Sequence, residues 1–326
     1  MDEPIPDSST GSDPTARVEA FQLLSDRTRL DILYALWEGH DPVDPAPMRF
    51  SELRDRLGVE DPGRLNYHLA KLTDHFIRRT DRGYELLRTG QRVVRTVIAS
   101  AGVQSPTLER TRIDLQCEFC GAQTAITYQD EWLFVVCTQC DGFFESDETH
   151  PEGYLMGAAL DPAGFVGREP AELLQASMTV AFNDLLCAAE GVCNACSGKI
   201  APWLDICAEH ADSGVCDTCG RRFAAICRFE CEVCRNHLTA SPRTIVVGHP
   251  AVVSFYYDHG ISLQFDDVSP GGMQRRLTRI KGHEQSVVTE DPPVVDVSVS
   301  HEGETLQLRL DRAVRVTSTE RSSGDA

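Results

Sequence analysis

The segment DPGRLNYHLAK, Asp61 to Lys71, decides how the first third of the chain is read. Pro62 suits the first turn of a helix, where its missing N–H would be unpaired anyway and its φ is already helical. Asp61 stands where a side-chain carboxylate can accept from the free N–H groups of that turn. Leu65, Leu69 and Leu72 recur at i, i+4 and i+7, one apolar stripe. Gly63, Arg64, Tyr67 and Lys71 occupy the other face, which is basic, aromatic and rich in donors. A short helix divided this way suits the DNA major groove. A solvated surface helix carries the same pattern, so the flanking sequence has to decide.

Upstream, Thr15–Leu24 carries Val18, Phe21 and Leu24, and Asp26–Trp37 sets Leu30, Leu33, Tyr34 and Trp37 on one side of a second helix. Ser51–Leu57 reads as a short helix capped by Ser51 and ended by Gly58. It hands over to the Pro62 helix within a few residues, which is helix-turn-helix spacing. After Leu72, HFIRRTDRGYELLRTG predicts a basic hairpin turning at Asp81-Arg82-Gly83. Thr89–Ala101 resumes helical periodicity with Val93, Val94, Val97 and Ile98. Helices, a turn and a hairpin in this order predict a winged helix-turn-helix over 14–103. Its candidate DNA-facing residues are Arg64, Asn66, Tyr67, His68 and Lys71 on the helix, with Arg78, Arg79 and Arg82 on the wing. Asn66 and His68 flank the leucine stripe and are placed either to pack or to read bases.

The stretches FQLLSDRTRLDIL, FSELRDRLGV, LNYHLAKL and YELLRTGQRVV resemble the ArsR-type winged-helix transcription regulators, particularly those of salt-adapted archaea. The resemblance covers residues 15–102. It implies sequence-specific binding of double-stranded DNA, usually by a homodimer formed through the terminal helices. The cysteine metal-sensing motif of the founding members is absent, since no cysteine precedes Cys117, so metal sensing by that motif does not carry over.

A formal charge of −19 sits oddly with DNA binding, which needs a cationic surface. Residues 49–95, however, hold eleven Arg/Lys against seven Asp/Glu, +4, leaving −23 for the remainder. Only Lys71, Lys199 and Lys281 are lysines, against 28 arginines, a balance typical of proteins from cells with concentrated internal salt. The opening MDEPIPDSSTGSDP has the composition of a disordered acidic tail, 1–13, rather than of a signal or transit peptide. With no apolar run of membrane-spanning length, a cytoplasmic protein without a membrane partner is expected.

A polar linker at Gln104–Glu109 leads to a second motif. Cys117-x2-Cys120 and Cys137-x2-Cys140 lie sixteen residues apart, with Gly121 and Gly142 close behind each pair. Thr124–Tyr128 and Trp132–Val136 between them read as two strands. Two knuckles joined by a hairpin predict a zinc ribbon over 110–146, because two intervening residues let one turn aim both sulfurs at one ion. A connecting region, 147–191, holds the helix Pro170–Glu190, with Leu174, Met178, Ala181 and Leu185 on a stripe and Cys187 as a small buried apolar residue.

Residues 192–240 then repeat. Cys193-x2-Cys196 and Cys207-x2-His210 recur, offset by 23 or 24 residues, as Cys216-x2-Cys219 and Cys231-x2-Cys234. Pairing in sequence order predicts tandem modules, Cys193/Cys196/Cys207/His210 and Cys216/Cys219/Cys231/Cys234. An interleaved pairing, 193/196 with 216/219, is the alternative. Either gives three structural zinc ions in all, each with four protein ligands.

The last stretch, 241–326, predicts a small β-rich module. It has a helix at Ala251–His259, strands at Pro293–Ser300 and TLQLRLD joined by a turn at HEGE, and AVRVTS as a third strand. Phe255, Tyr256 and Tyr257 are expected in its core, and His249, His259 and His283 show no metal spacing. The fold class expected is thus multidomain α+β: winged helix-turn-helix, zinc-ribbon modules and a β-rich end. The function expected is DNA-binding transcription regulation, its effector unidentified. A basal factor acting with RNA polymerase is the alternative. A zinc enzyme fits less well, because filled zinc sites leave no open coordination position and no HExxH, P-loop or GxSxG motif occurs.

Overall fold

The computed structural model describes residues 14–101, 106–211, 213–263, 277–278 and 282–323. The expected acidic tail lies outside the described residues. The chain divides into two compact units, Met1–Gln104 and Ser105–Ala326.

The first unit runs α1 (Pro14–Leu23), α2 (Arg27–Glu38), α3 (Phe50–Leu57), α4 (Pro62–Leu72), β1 (Ile77–Thr80), β2 (Gly83–Leu86) and α5 (Arg88–Thr96), which continues as a π-helical turn, Val97–Ala101. Asp26 caps α2, its carboxylate accepting from the Arg29 N–H at 3.2 Å. Asp61 caps α4 as the sequence predicts, accepting from Gly63 N–H at 2.8 Å. Leu65, Leu69 and Leu72 are fully buried beside Ile32, Leu33, Leu36, Leu53 and Ile77. Each such side chain contributes about 1.5–3 kcal/mol by leaving water.

Two details depart from expectation. Ser51 does not cap α3: the helix starts at Phe50, and the Arg49 carbonyl takes the first turn's bond from Leu53 N–H at 2.9 Å. The hairpin also has a third partner. Met48 and Tyr84 exchange two backbone hydrogen bonds of 2.8 Å. A Cβ at Gly83 would stand 2.2 Å from the Met48 carbonyl oxygen, so only glycine lets the hairpin close on this bridge.

The described residues of the second unit form three antiparallel sheets. One orders β3 (Leu108–Gln116), β4 (Gln123–Gln129), β5 (Trp132–Cys137) and β6 (Tyr154–Ala159). The second joins β7 (Ile200–Ile206), β8 (Ala225–Cys231) and β9 (His237–Ala240). The third joins β10 (His283–Glu290), β11 (Pro293–His301), β12 (Glu304–Leu310) and β13 (Val316–Ser323). Helices α6 (Pro170–Ala189), α7 (Pro242–Ile245) and α8 (Pro250–Asp258) pack among them. The strands expected at Thr124–Tyr128 and Trp132–Val136 form, flanked by two that the sequence left unassigned. Leu108 and Glu109, expected in a linker, begin β3; β6 comes from the expected connecting region.

α6 opens on a reciprocal capping box between Glu169 and Glu172. It buries Leu174 and Met178, with Ala181 and Leu185 half-buried. Cys187 is half-buried rather than interior. In the third sheet β10 precedes the three expected strands, its Val287-Val288-Thr289 stretch carrying a bulge that blurs strict alternation. Phe255 and Tyr256 are core residues as expected, whereas Tyr257 is 76% exposed on the outer face of α8.

One hydrophobic cluster runs through all three sheets, from Ile113 and Leu174 through Phe229 and Phe255 to Val297 and Leu308. Backbone and side-chain bonds tie them too: Leu204 N–H donates to Arg312 O at 3.0 Å, and Gln285 Nε2 to Ala225 O at 2.9 Å. The segments that composition separates therefore share a core, because no single sheet here is large enough to bury one alone.

Candidate metal centres and an exposed basic helix

In the first unit, α4 presents Arg64, Asn66, Tyr67 and Lys71 to solvent opposite its leucines. Tyr67 is 60% exposed, with the Lys71 ammonium 5.9 Å from its ring centre. Arg64 reaches back to donate to Thr28 Oγ1 at 3.3 Å. His68 is different. It is buried with the leucines, its Nδ1 3.5 Å from the Asp26 carboxylate that caps α2. Its position three residues from Leu65 places it on the edge of the stripe, so it packs and does not project outward. On the hairpin, Arg79 and Arg82 are exposed, Arg79 lying over the Tyr84 ring. Arg78 is partly neutralised across the strands by Glu85, Nε to Oε1 2.8 Å.

In the second unit four CxxC turns share one backbone pattern. Gly121, Ser197, Gly220 and Arg235 donate back to the carbonyls of Cys117, Cys193, Cys216 and Cys231. In turn these four cysteines donate to the carbonyls of Ala122, Gly198, Arg221 and Asn236. The residue four after each leading cysteine is left-handed, with φ of 73°, 64°, 64° and 63°. Glycine takes this conformation freely at two of them, and Ser197 and Arg235 carry the strain. The turn leaves N–H groups pointing at sulfur: Phe119 N–H to Cys117 Sγ at 3.4 Å, and Gly198 N–H to Cys196 Sγ at 3.3 Å.

These turns assemble three clusters, each with all its ligand atoms within 4.8 Å of one another: Cys117/Cys120/Cys137/Cys140, Cys193/Cys196/Cys231/Cys234 and Cys207/His210/Cys216/Cys219. All twelve candidate metal ligands are thus brought together, but not in the expected pairs. Neither the sequential nor the interleaved pairing holds in 192–240. The antiparallel ladder from Ile200↔Cys231 to Ile206↔Ala225 makes β7–β8 a rod with two ends. Cys193 and Cys196 precede β7, so they meet Cys231 and Cys234 at the end of β8. Cys207 and His210 follow β7 and meet Cys216 and Cys219 before β8. One cluster is nested inside the other, about 20 Å away at strand rise.

The donor sets fit tetrahedral metal. Four sulfurs bound at about 2.3 Å stand about 3.8 Å apart. Here Cys117–Cys140 and Cys193–Cys234 are at 3.7 Å, Cys196–Cys231 at 3.5 Å and Cys120–Cys137 at 3.4 Å. These separations are far longer than a disulfide bond, and all thirteen cysteines are free. His210 turns Nδ1 toward Cys219 Sγ at 3.5 Å and donates from Nε2 to Arg222 O at 3.2 Å. That second bond fixes the tautomer a metal ligand needs. Arg222 continues outward, its Nε donating to Gly142 O at 2.6 Å, so it links this cluster to the turn of the first.

Electrostatics favour thiolate at one sulfur of each cluster. The Ala211 N–H, with those of Cys219 and Thr218, brings Cys216 down to about 6. The Cys234 N–H, with that of Val233, does the same for Cys231. At Cys137 burial raises the thiol, and the N–H groups of Gln139 and Cys140 outweigh it, giving about 7. Cys227 belongs to no cluster, and burial alone pushes its thiol up.

No helix of the described residues is long and apolar enough to cross a membrane. No curated protein and no solved structure matches this chain. Residues 17–97 match a domain of unknown function, DUF7347. Residues 114–316, more than half of the chain, match a second domain of unknown function, and the chain belongs to that family, DUF7351.

Proposed function

We propose that this chain is a DNA-binding transcription regulator of ArsR type. In this reading its first unit is a winged helix-turn-helix, and three structural zinc ions hold its second. The observation that carries the reading is the division of α4. Three leucines are sealed in the core while Arg64, Asn66, Tyr67 and Lys71 stay exposed, next to a hairpin that offers Arg79 and Arg82. Residues 49–95 carry a net +4 within an acidic chain, as a groove-reading helix with a phosphate-contacting wing requires. His68 drops out of the reading set because it is buried.

Val97 and Ile98 are 52% and 41% exposed, and Phe21 and Val18 on α1 are 77% and 56% exposed. Two copies joined through these faces would make the homodimer expected of such regulators, presenting two α4 helices to two half-sites. The closed donor sets support zinc that holds structure, since all four positions of each site are taken by protein.

The test is binding of the purified, zinc-loaded chain to genomic duplex fragments, alone and with RNA polymerase. A regulator retains specific fragments unaided, whereas a basal factor retains them only with polymerase.

A further inference from the structure

The third sheet and α8 bring together two histidines and a glutamate that lie 42 residues apart in the chain. His259 closes α8 and stands beside Gly260, whose φ of 70° turns the chain away. His301 ends β11, and Glu302 follows in the two-residue turn to β12 with φ of 48°. Across this corner the His259 and His301 rings meet edge to face, centroids 4.9 Å apart. His259 Nδ1 is 3.6 Å from Glu302 Oε2, and His301 Nε2 is 3.9 Å from Glu302 Oε1. One ligand atom from each of the three residues lies within 4.8 Å of the others.

The opposite edge of His259 is as informative. Its Nε2 is buried without a hydrogen-bond partner and lies 3.5 Å from the Glu304 carboxylate. Arg321 holds Glu304 in place and also pairs with Asp258. A carboxylate behind a histidine, on the nitrogen away from the ligand cluster, is the arrangement that orients metal-binding imidazoles and raises their basicity. Phe255 packs edge to face on His259 at 4.9 Å and restricts its rotation.

We propose that His259, His301 and Glu302 form a fourth metal site, which takes a divalent transition ion such as zinc, nickel or cobalt. His259 Nδ1, His301 Nε2 and a Glu302 oxygen are its ligands, and Glu304 is the positioning carboxylate. Two imidazoles with one carboxylate select such ions over calcium or magnesium, which prefer oxygen. Three protein ligands leave at least one position to water or an exogenous group. Unlike the three four-ligand clusters, this site is open and partly exposed, so its metal exchanges readily.

Metal content of the full chain by elemental analysis tests this directly, after dialysis against excess zinc and again after a weak chelator. The wild type loses one zinc per chain to the chelator, and His301→Ala has one fewer before it and loses none. Glu302→Gln, in an exposed turn that leaves the fold intact, weakens zinc uptake by at least about tenfold. His237→Ala, an exposed histidine elsewhere, behaves as wild type. Cobalt substitution adds a second readout, because the labile ion's spectrum lacks the thiolate charge-transfer bands of the cysteine clusters. Equal zinc content in wild type, His301→Ala and Glu302→Gln under both conditions would overturn the site.

Discussion

The two units of this protein solve the same problem by different means. The first builds its core from apolar side chains, among them Ile32, Leu33, Leu53, Leu65, Leu69, Leu72 and Ile77, and no cysteine occurs in it. The second threads one hydrophobic cluster through three small sheets and places a ligand cluster at strand ends, where each turn would otherwise be loose. A helical unit closes its core with local contacts and leaves one helix face exposed. Short sheets with long connections need fixed points, and the cysteine turns supply them. Metal chemistry should therefore govern the second unit and leave the first almost untouched.

The largest effect expected is from the clusters. Structural zinc supplies about 10–16 kcal/mol of apparent binding free energy in small modules. Cys231→Ser or Cys219→Ser should abolish cooperative unfolding of the second unit, while the transition of the first persists in calorimetry. The nesting makes a sharper claim. Cys193→Ser with Cys234→Ser should cost one zinc per chain, and Cys193→Ser with Cys207→Ser should cost two. Tandem modules would reverse that pattern.

A cavity in the first unit gives the converse. Leu69→Ala should lose about 2–5 kcal/mol in denaturant unfolding of that unit without changing zinc content, since Leu69 is 1% exposed.

Acid should separate the units further through His283. Its Nε2 accepts from Tyr256 Oη at 2.9 Å and its Nδ1 donates to Arg243 O at 3.2 Å, which suits neutral imidazole. Burial first, and then the Arg243 charge, hold it near pKa 4, although the Arg243 carbonyl opposes them. Its unfolded value is about 6.5, so the unfolded state binds the extra proton between the two. The stabilisation is complete above about pH 6.5, falls as pH drops toward 4, and amounts to about 3 kcal/mol. The stability gap between wild type and His283→Gln should narrow over that window.

Smaller and more specific effects belong to the exposed face. Arg64→Ala or Tyr67→Ala should cost about 1–3 kcal/mol on the preferred DNA and relax base preference. Arg79→Ala with Arg82→Ala should weaken all sequences alike and flatten the salt dependence. His68→Gln should change stability, not base preference.

How far the sequence reveals all this differs between the units in a physical way. α4 is legible because its signals are local: the Asp61-Pro62 start and leucines at helical spacing. The ligands are legible because a CxxC turn is a six-residue unit with its own hydrogen bonds. The partners of 193/196 are not, since they depend on the β7–β8 ladder, and β7 contains Pro202, which argues against a strand. The fourth site escapes motif spacing for the same reason: His259 and His301 meet only through tertiary packing. The signal that could have found it is the His301-Glu302 pair in a strong turn. At His68 the sequence leaves packing and base reading both open, because one helical position decides between the core and solvent, and the fold buries it.

Selection from a random duplex library by the purified zinc-loaded chain tests most directly whether α4 is a reading surface. The wild type should enrich a two-fold-symmetric motif, and Arg64→Ala and Tyr67→Ala together should lose that motif with zinc content unchanged. No enriched motif, or the same motif selected equally well by the double variant, would contradict it.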